Sequence, residues 1–379
     1  MESPPQKLRV LVVDDSAYNR QTITAMLESL PGIEVVGRAM NGKEALQMAF
    51  DLEPDAITLD LEMPEMDGFA FLRLLMARRP TPVLVVSGYA QRENVFRALE
   101  LGALDFIAKP SREISPDLKS IRDELATKIG TVKRLHAVRL YNRAKALAAV
   151  DRRTTSNTSL QSTKAAPRTP SGMPPALVVG IASSTGGPPA VQQILCALDA
   201  KVPIAILVAQ HMPARFTRAF ASRLDRLVDF HVVEAVDGHP LCAGTVYIAP
   251  GSANMEIERP GDGREAPMVR VVPPNTAKPG PVLTPSADHL FKSLAAQYGR
   301  RLLSIVLTGM GSDGREGARE ARRLGGRIIA EDPDTAVMPG MPYSVIEAGL
   351  VDEVLPVEQI PEAIARFVGE ARGGGEGVR

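Results

Sequence analysis

Three acidic residues stand where short apolar runs end. Asp14 and Asp15 follow Leu8-Arg9-Val10-Leu11-Val12-Val13, and Asp60 follows Ala56-Ile57-Thr58-Leu59. Three carboxylates in one crevice repel one another unless a cation joins them. A hard divalent ion with oxygen ligands, Mg2+, does this and still keeps positions for waters and phosphate oxygens. Ser87 ends the run Val83-Leu84-Val85-Val86, and Lys109 follows Asp105-Phe106-Ile107-Ala108. A hydroxyl and an ammonium at those places can hold the oxygens of a phosphoryl group. Pro110 restricts Lys109 to extended backbone, outside a helix. Singly, each of the five is an ordinary polar strand end; together they point to one pocket.

A second set lies further along the chain. The run ending at Ile181 leads into Ala182-Ser183-Ser184-Thr185-Gly186-Gly187-Pro188. A serine at a sharp strand-to-helix turn can present its hydroxyl at a sheet edge. The same loop could also be a phosphate-binding turn at a helix start or a plain helix cap, although Gly-x-Gly-x-x-Gly and Gly-Lys-Ser/Thr are absent. Two later residues bear on the choice. His211, in Gln210-His211-Met212-Pro213, follows the run Ile204 to Val208, where an imidazole can take a serine proton. Asp313, in Thr308-Gly309-Met310-Gly311-Ser312-Asp313-Gly314, follows Leu303 to Leu307 and can orient and charge-stabilise that histidine. The glycines around Met310 leave backbone N–H groups to face an oxyanion. Alone, the histidine reads as structural and the aspartate as a helix cap.

The elements that must position these residues alternate strand and helix. Over residues 7 to 110 five short strands interleave with helices at 17–30, 42–51, 69–79 and 93–101, the pattern of a doubly wound parallel sheet. From 117 to 147 the pattern is helical. Residues 151 to 175 are rich in Ser, Thr and Pro and lack a hydrophobic period, which reads as a flexible linker. A second alternation begins at Ala176, with strands at 177–181, 204–208, 230–235, 245–249, 303–307 and 327–330. Its helices fit at 188–198, 215–226, 286–299, 314–324, 340–349 and 358–369. Residues 256–259 and 269–272 flank Pro260-Gly261-Asp262-Gly263 and predict an antiparallel hairpin. The expected fold class is α/β: two doubly wound parallel-sheet domains, flavodoxin-like and then Rossmann-like with an antiparallel hairpin. The expected domains are 7–125, a helical connector and linker at 126–175, and 176–370.

Of the 379 residues 45% are hydrophobic, enough to build cores in both domains. Lys and Arg number 44 and so do Asp and Glu, giving zero formal charge, so the basic excess of a nucleic-acid binder is missing. Cys196 and Cys242 fit no metal spacing and read as small hydrophobes in a reducing compartment. Residues 1–7 lack an apolar signal core, and no apolar run reaches the ~18 residues of a membrane span. A cytoplasmic protein without membrane insertion is expected.

Residues 7 to about 125 resemble a response-regulator receiver domain, on Asp14-Asp15, Asp60, Ser87 and Lys109, with Met63-Pro64 and Asp67-Gly68 matching the loop after the phosphoacceptor. The resemblance implies that Asp60 accepts phosphate from a histidine kinase. It implies that Mg2+ is held by the Asp14-Asp15 pair, Asp60 and the backbone of Glu62, and that Phe106 is the switch aromatic beside Ser87 and Lys109. Residues 176 to about 370 resemble the catalytic domain of chemotaxis protein-glutamate methylesterases, the CheB family. Ser184 to Gly187, Gln210 to Pro213 and Thr308 to Gly314 carry that likeness, with Tyr247 to Gly251 and Pro285 to Asp288 also matching. Ala182 stands where the family has glycine. By position, Ser184 is then the nucleophile, His211 the base and Asp313 its orienter, with Thr185 and the Met310 backbone at the oxyanion. Ser183 ranks below Ser184, because the motif registers on Thr185-Gly186-Gly187.

The implied activity is phosphorylation-activated hydrolysis of methyl esters, with deamidation of glutamine, on methyl-accepting chemoreceptors. It needs no cofactor for the ester step, and the unphosphorylated receiver is implied to cover the hydrolase face. The alternative is a receiver-controlled esterase of the same fold acting on another protein or a small ester. A transcription regulator would need a basic helix-turn-helix after the linker, and a nonenzymatic scaffold would carry a broken triad; neither matches.

Overall fold

The computed structural model describes residues 7–88, 92–109, 118–132, 172–200, 202–214, 216–261, 266–274 and 283–373. The expected connector beyond 132, the linker up to 171, Pro110 and the hairpin turn at 262–263 lie outside the described residues. The chain divides into two compact units, 1–155 and 156–379.

In the first unit the apolar runs form β1 (Leu8–Val13), β2 (Ile33–Ala39), β3 (Ala56–Leu59), β4 (Val83–Ser87) and β5 (Asp105–Ala108). They make one parallel sheet in the order β2-β1-β3-β4-β5. The strands are near-continuous Val, Ile and Leu because a parallel sheet is covered on both faces; Val10, Leu11 and Val12 are wholly buried. Helices α1 (Ala17–Glu28), α2 (Gly42–Leu52), α3 (Gly68–Arg78), α4 (Arg92–Glu100) and α5 (Leu118–Gly130) provide the cover. Ser16, Asn41 and Asp67 cap the first three through their side chains, as their residue types favour. The chain leaves β1 toward β2 on one side and returns to β3 on the other. A crevice therefore opens beyond the carboxyl ends of β1 and β3.

The second unit is built on β6 (Leu177–Ser183), β7 (Ile204–Gln210), β8 (His231–Glu234), β9 (Thr245–Ile248), β12 (Leu302–Val306), β13 (Arg327–Glu331) and β14 (Glu353–Leu355). Every recorded pairing is parallel, in the order β14-β13-β12-β6-β7-β9-β8. The hairpin strands β10 (Asn254–Glu258) and β11 (Met268–Val272) pair antiparallel in a sheet of their own. Helices α6 (Gly187–Ala197), α7 (Phe216–Leu227), α8 (Ala287–Tyr298), α9 (Arg315–Arg323), α10 (Gly340–Glu347) and α11 (Ile360–Gly373) complete the unit. The edge strand β14 escapes the sequence pattern because it is three residues long and partly exposed.

Strand order reverses at β6, which lies between β7 and β12. The crevice of this sheet therefore falls beyond the ends of β6, β7 and β12. Gly180 lets α8 press onto β6: a Cβ there would sit 2.9 Å from Leu294 Cδ1 and 3.0 Å from Phe291 Cε1. That approach carries the start of α8 to the same crevice. Among the described residues no helix is long and apolar enough to cross a membrane.

Candidate functional site

In the first unit, Asp14 follows β1 and Asp60 follows β3, both almost wholly buried, with Asp15 exposed beside them. One carboxylate oxygen from each of the three lies within 4.8 Å of the others. Lys109, at the end of β5, reaches both buried acids, with Nζ 2.6 Å from Asp60 Oδ2 and 3.0 Å from Asp14 Oδ2. Asp14 Oδ1 accepts from the Ser16 amide at 2.9 Å, and Asp60 Oδ1 from the Leu61 amide at 2.8 Å. Burial pushes the Asp60 carboxyl up, and Asp14 adds to this, although Lys109 pulls it down; the net direction is upward. Burial would lower Lys109, but the two carboxylates hold its ammonium above the usual range.

Ser87 is buried at the end of β4, and its carbonyl accepts from the Lys109 amide at 2.8 Å. Phe106 is 2% exposed and meets Phe96 edge-on, 6.5 Å between centroids. Lys128 of α5 donates to the Phe106 carbonyl at 2.6 Å and pairs with Asp105 and Glu124. Glu62 is exposed on the loop after Asp60. A cradle of carboxylates with an ammonium opposite suits a hard divalent cation and a phosphoryl group.

In the second unit, Ser183 pairs with Gln210 across β6 and β7, so Ser184 and His211 follow at adjacent strand ends. Strand neighbours in a sheet lie about 4.8 Å apart. Ser183 is wholly buried and donates its hydroxyl to Gln210 Oε1 at 2.6 Å, whereas Ser184 is half-buried. Gln210 Nε2 donates to the carbonyls of Ser184 (2.9 Å) and His211 (3.0 Å). Gln210 thus ties the serine loop to the histidine, a role its place in the motif did not disclose. Ala182 is ordinary strand, paired with Ala209 and Val306; the left-handed turn falls at Gly186, with φ of 76°.

His211 Nε2 lies 2.8 Å from Asp313 Oδ2. Asp313 also accepts from the Ser286 hydroxyl (2.9 Å) and the amides of Ala287 (2.7 Å) and Asp288 (3.1 Å), at the start of α8. Burial would raise its carboxyl, but His211 and those amides together hold it below the usual carboxylate range. Among the described residues no hydrogen bond joins the Ser184 hydroxyl to the His211 ring; the pairing of β6 with β7 sets them at neighbouring strand ends. Thr185 is buried in the turn beside Ser184. The Met310 N–H has no acceptor among the described residues, and Met310 is half-buried. Ser286 and Asp288 sit in a motif legible in the sequence, but their bonds to the 313–317 segment are not.

Comparison with known proteins agrees in both units. Residues 10–116 match the response regulator receiver domain model, and residues 179–364 the CheB methylesterase model. A Geobacter sulfurreducens protein named protein-glutamate methylesterase/protein-glutamine glutaminase 3 is 46% identical over 372 residues, spanning 96% of this chain and 98% of that one. An Anaeromyxobacter dehalogenans protein of the same name, numbered 6, is 45% identical over 371 residues, spanning 98% and 99%. Among solved structures, the Thermotoga maritima CheB methylesterase catalytic domain is 37% identical and covers 51% of this chain and 98% of its own, at a TM-score of 0.47.

Proposed function

This chain belongs to the family of protein-glutamate methylesterases/protein-glutamine glutaminases that join a receiver to a CheB methylesterase domain, and from that membership we propose which of its residues carry the reaction. It is a phosphorylation-controlled hydrolase that demethylates glutamate side chains of methyl-accepting chemoreceptors and deamidates glutamine side chains there.

Ser184 is the nucleophile, His211 the base and Asp313 the orienting carboxylate. One contact above all supports this: Asp313, held anionic, engages His211 Nε2 at 2.8 Å. Nδ1 then remains for the serine proton. Ser184 Oγ attacks the ester carbonyl as His211 takes its proton, and the Asp313 charge stabilises the imidazolium. The oxyanion faces the Met310 N–H and the Thr185 residue. His211 returns the proton to the departing methoxide, giving methanol, and water activated by the same imidazole cleaves the acyl-enzyme. With a glutamine side chain the leaving group is ammonia.

In the receiver, Asp60 takes the phosphoryl group from a chemotaxis histidine kinase, and Lys109 and Ser87 hold its oxygens. Asp14, Asp15, Asp60 and the Glu62 carbonyl are the proposed holders of Mg2+, which supplies positive charge beside the phosphoryl oxygens. Lys109 supplies the matching charge from the position just after β5. The reaction takes place in the cytoplasm, where kinase and receptor methylation sites meet this enzyme. Incubation with methyl-labelled receptor membranes and a small phosphodonor should release methanol from the intact protein and none from Ser184→Ala. A wild-type protein that takes up phosphate but releases no methanol would overturn this function.

A further inference from the structure

We propose that Glu331 is a positioning residue for ester hydrolysis, holding the loop that carries the oxyanion amide against the nucleophile. This rests on the assignment of Ser184 and Met310 above.

Glu331 ends β13 and is wholly buried, as is Thr308, two residues beyond β12. Glu331 Oε2 accepts from the Thr308 amide at 2.7 Å. Every other polar group of Thr308 is also engaged. Its carbonyl accepts from the Ser184 amide at 3.0 Å. Its hydroxyl donates to the Thr185 carbonyl at 2.9 Å and accepts from the Met338 amide at 2.8 Å. Thr308 is therefore bonded to the nucleophile and to the residue after it, and it stands two residues before Met310.

The loop has little room to shift on its own. Gly309 donates to the Met338 carbonyl at 2.8 Å and accepts from the Met341 amide at 2.9 Å. A Cβ at Gly309 would overlap the Met341 sulfur and lie 2.8 Å from Ser184 Cβ, so the loop passes directly behind the serine. An interior carboxylate carries a desolvation cost that only partners repay, and a carboxylate accepting from an amide makes a bond roughly twice as strong as a neutral pair. Glu331 touches no reacting atom. It anchors Thr308, and Thr308 sets the distance between Ser184 and the Met310 amide.

Removing that anchor leaves the buried Thr308 N–H without its acceptor. A displacement of about 1 Å at reacting groups costs on the order of 100-fold. Glu331→Ala should therefore lower kcat on methyl-labelled receptor membranes about 10- to 100-fold with KM little changed, and Glu331→Gln, which keeps an acceptor, should restore most of it. The assay uses the full-length, phosphodonor-treated protein, with kcat expressed per serine titrated by a fluorophosphonate. Normalising in this way separates positioning from a smaller folded fraction. Wild-type kcat per titrated serine in Glu331→Ala would overturn the proposal, even if the melting temperature fell. If Glu331→Ala is insoluble, Glu331→Asp, which draws the carboxylate back from the Thr308 amide, takes its place; loss of kcat per titrated serine there supports the proposal, and a wild-type value overturns it. A wild-type enzyme with no titratable serine and no methanol release would instead remove the underlying assignment, and this proposal with it.

Discussion

Asp313 holds the start of α8, the helix in which Asp288 lies, and Asp288 in turn holds the start of α9, the helix that follows Asp313. Asp313 accepts from the amides of Ala287 and Asp288, where α8 begins. Asp288 Oδ1 accepts from the amides of Gly314 (3.0 Å) and Gly317 (2.7 Å), where α9 begins. A side chain at Gly317 could not fit, since its Cβ would lie 2.7 Å from Phe291 Cβ and 3.0 Å from Asp288 Cα. The aspartate bonded to His211 is thus fixed by the mutual docking of two helices. Both helix starts offer free N–H groups and a positive dipole end, which favour the carboxylates there.

Asp288→Ala should destabilise the catalytic unit by about 1–3 kcal/mol, the range for a lost cap and buried amides left unpaired. It should also slow methanol release by loosening the segment from Asp313 to Gly317. Asp288→Asn keeps an acceptor and removes a charge that burial already disfavours, since burial, with Asp313 nearby, pushes this carboxyl up. Its melting temperature should stay near wild type. Equal losses in the two variants would show that the charge, not the cap, matters.

The Asp313 carboxyl is held below its ordinary value in the folded protein. Over the acid range the unfolded chain therefore binds more protons at this residue than the native one does, and stability rises with pH. Its contribution is full above about pH 4 and is lost as the pH falls through the folded value. The stability gap between wild type and Asp313→Asn should thus be constant near neutrality and shrink below about pH 4. Urea midpoints measured across that range check it. A gap as wide in acid as at neutrality would contradict the direction of the shift.

Ser183 and Ser184 separate by burial and partner. Ser183→Ala removes a buried hydroxyl bonded to Gln210, and a cost of about 1 kcal/mol in stability with activity largely kept is expected. Ser184→Ala should lower methanol release by about 10⁴- to 10⁶-fold with phosphate uptake intact. Activity that survives in Ser184→Ala but not in Ser183→Ala would shift the nucleophile by one residue.

Much of this architecture is legible in the chain because parallel strands buried on both faces leave unbroken apolar runs, as in Ile204 to Val208. Residues that follow such runs, Asp60, Ser184 and His211 among them, are marked by place as well as type. What escapes is the set of side chains that reach across the fold. Glu331 meets Thr308 and Asp288 meets Gly317 only through tertiary packing. No period or spacing encodes those partners. Gln210 reads only as a neighbour of His211 in its motif, beyond the run that ends at Val208, until β6 and β7 pair in register. The three-residue β14 is too short to show an alternation.

Asp60→Asn should end phosphate uptake from small phosphodonors, because the amide is no nucleophile. Substituting Lys109, whose ammonium bridges Asp60 and Asp14, should leave some phosphorylation but uncouple it from ester hydrolysis. Label incorporation and methanol release, measured on the same samples, test both. Wild-type labelling of Asp60→Asn would place the phosphoacceptor elsewhere.

Phosphorylation of Asp60 can change ester hydrolysis only if the two receiver states act differently on the catalytic unit. The family resemblance implies that the unphosphorylated receiver restrains it. The equilibrium need not be extreme, since a bias of ~1.4 kcal/mol shifts a two-state ratio about tenfold. The catalytic unit has its own sheet and core, so it can be examined without the receiver. A fragment beginning at residue 172 should hydrolyse a small ester faster than the unphosphorylated full-length protein. A phosphodonor should activate the full-length protein and leave the fragment unchanged. Receptor membranes add a second comparison. If the fragment exceeds the full-length protein on the small ester but falls behind it on membranes, the receiver also contributes positively, by delivering the enzyme to its substrate. A fragment no faster than the unphosphorylated protein on either substrate would rule out restraint as the means of control.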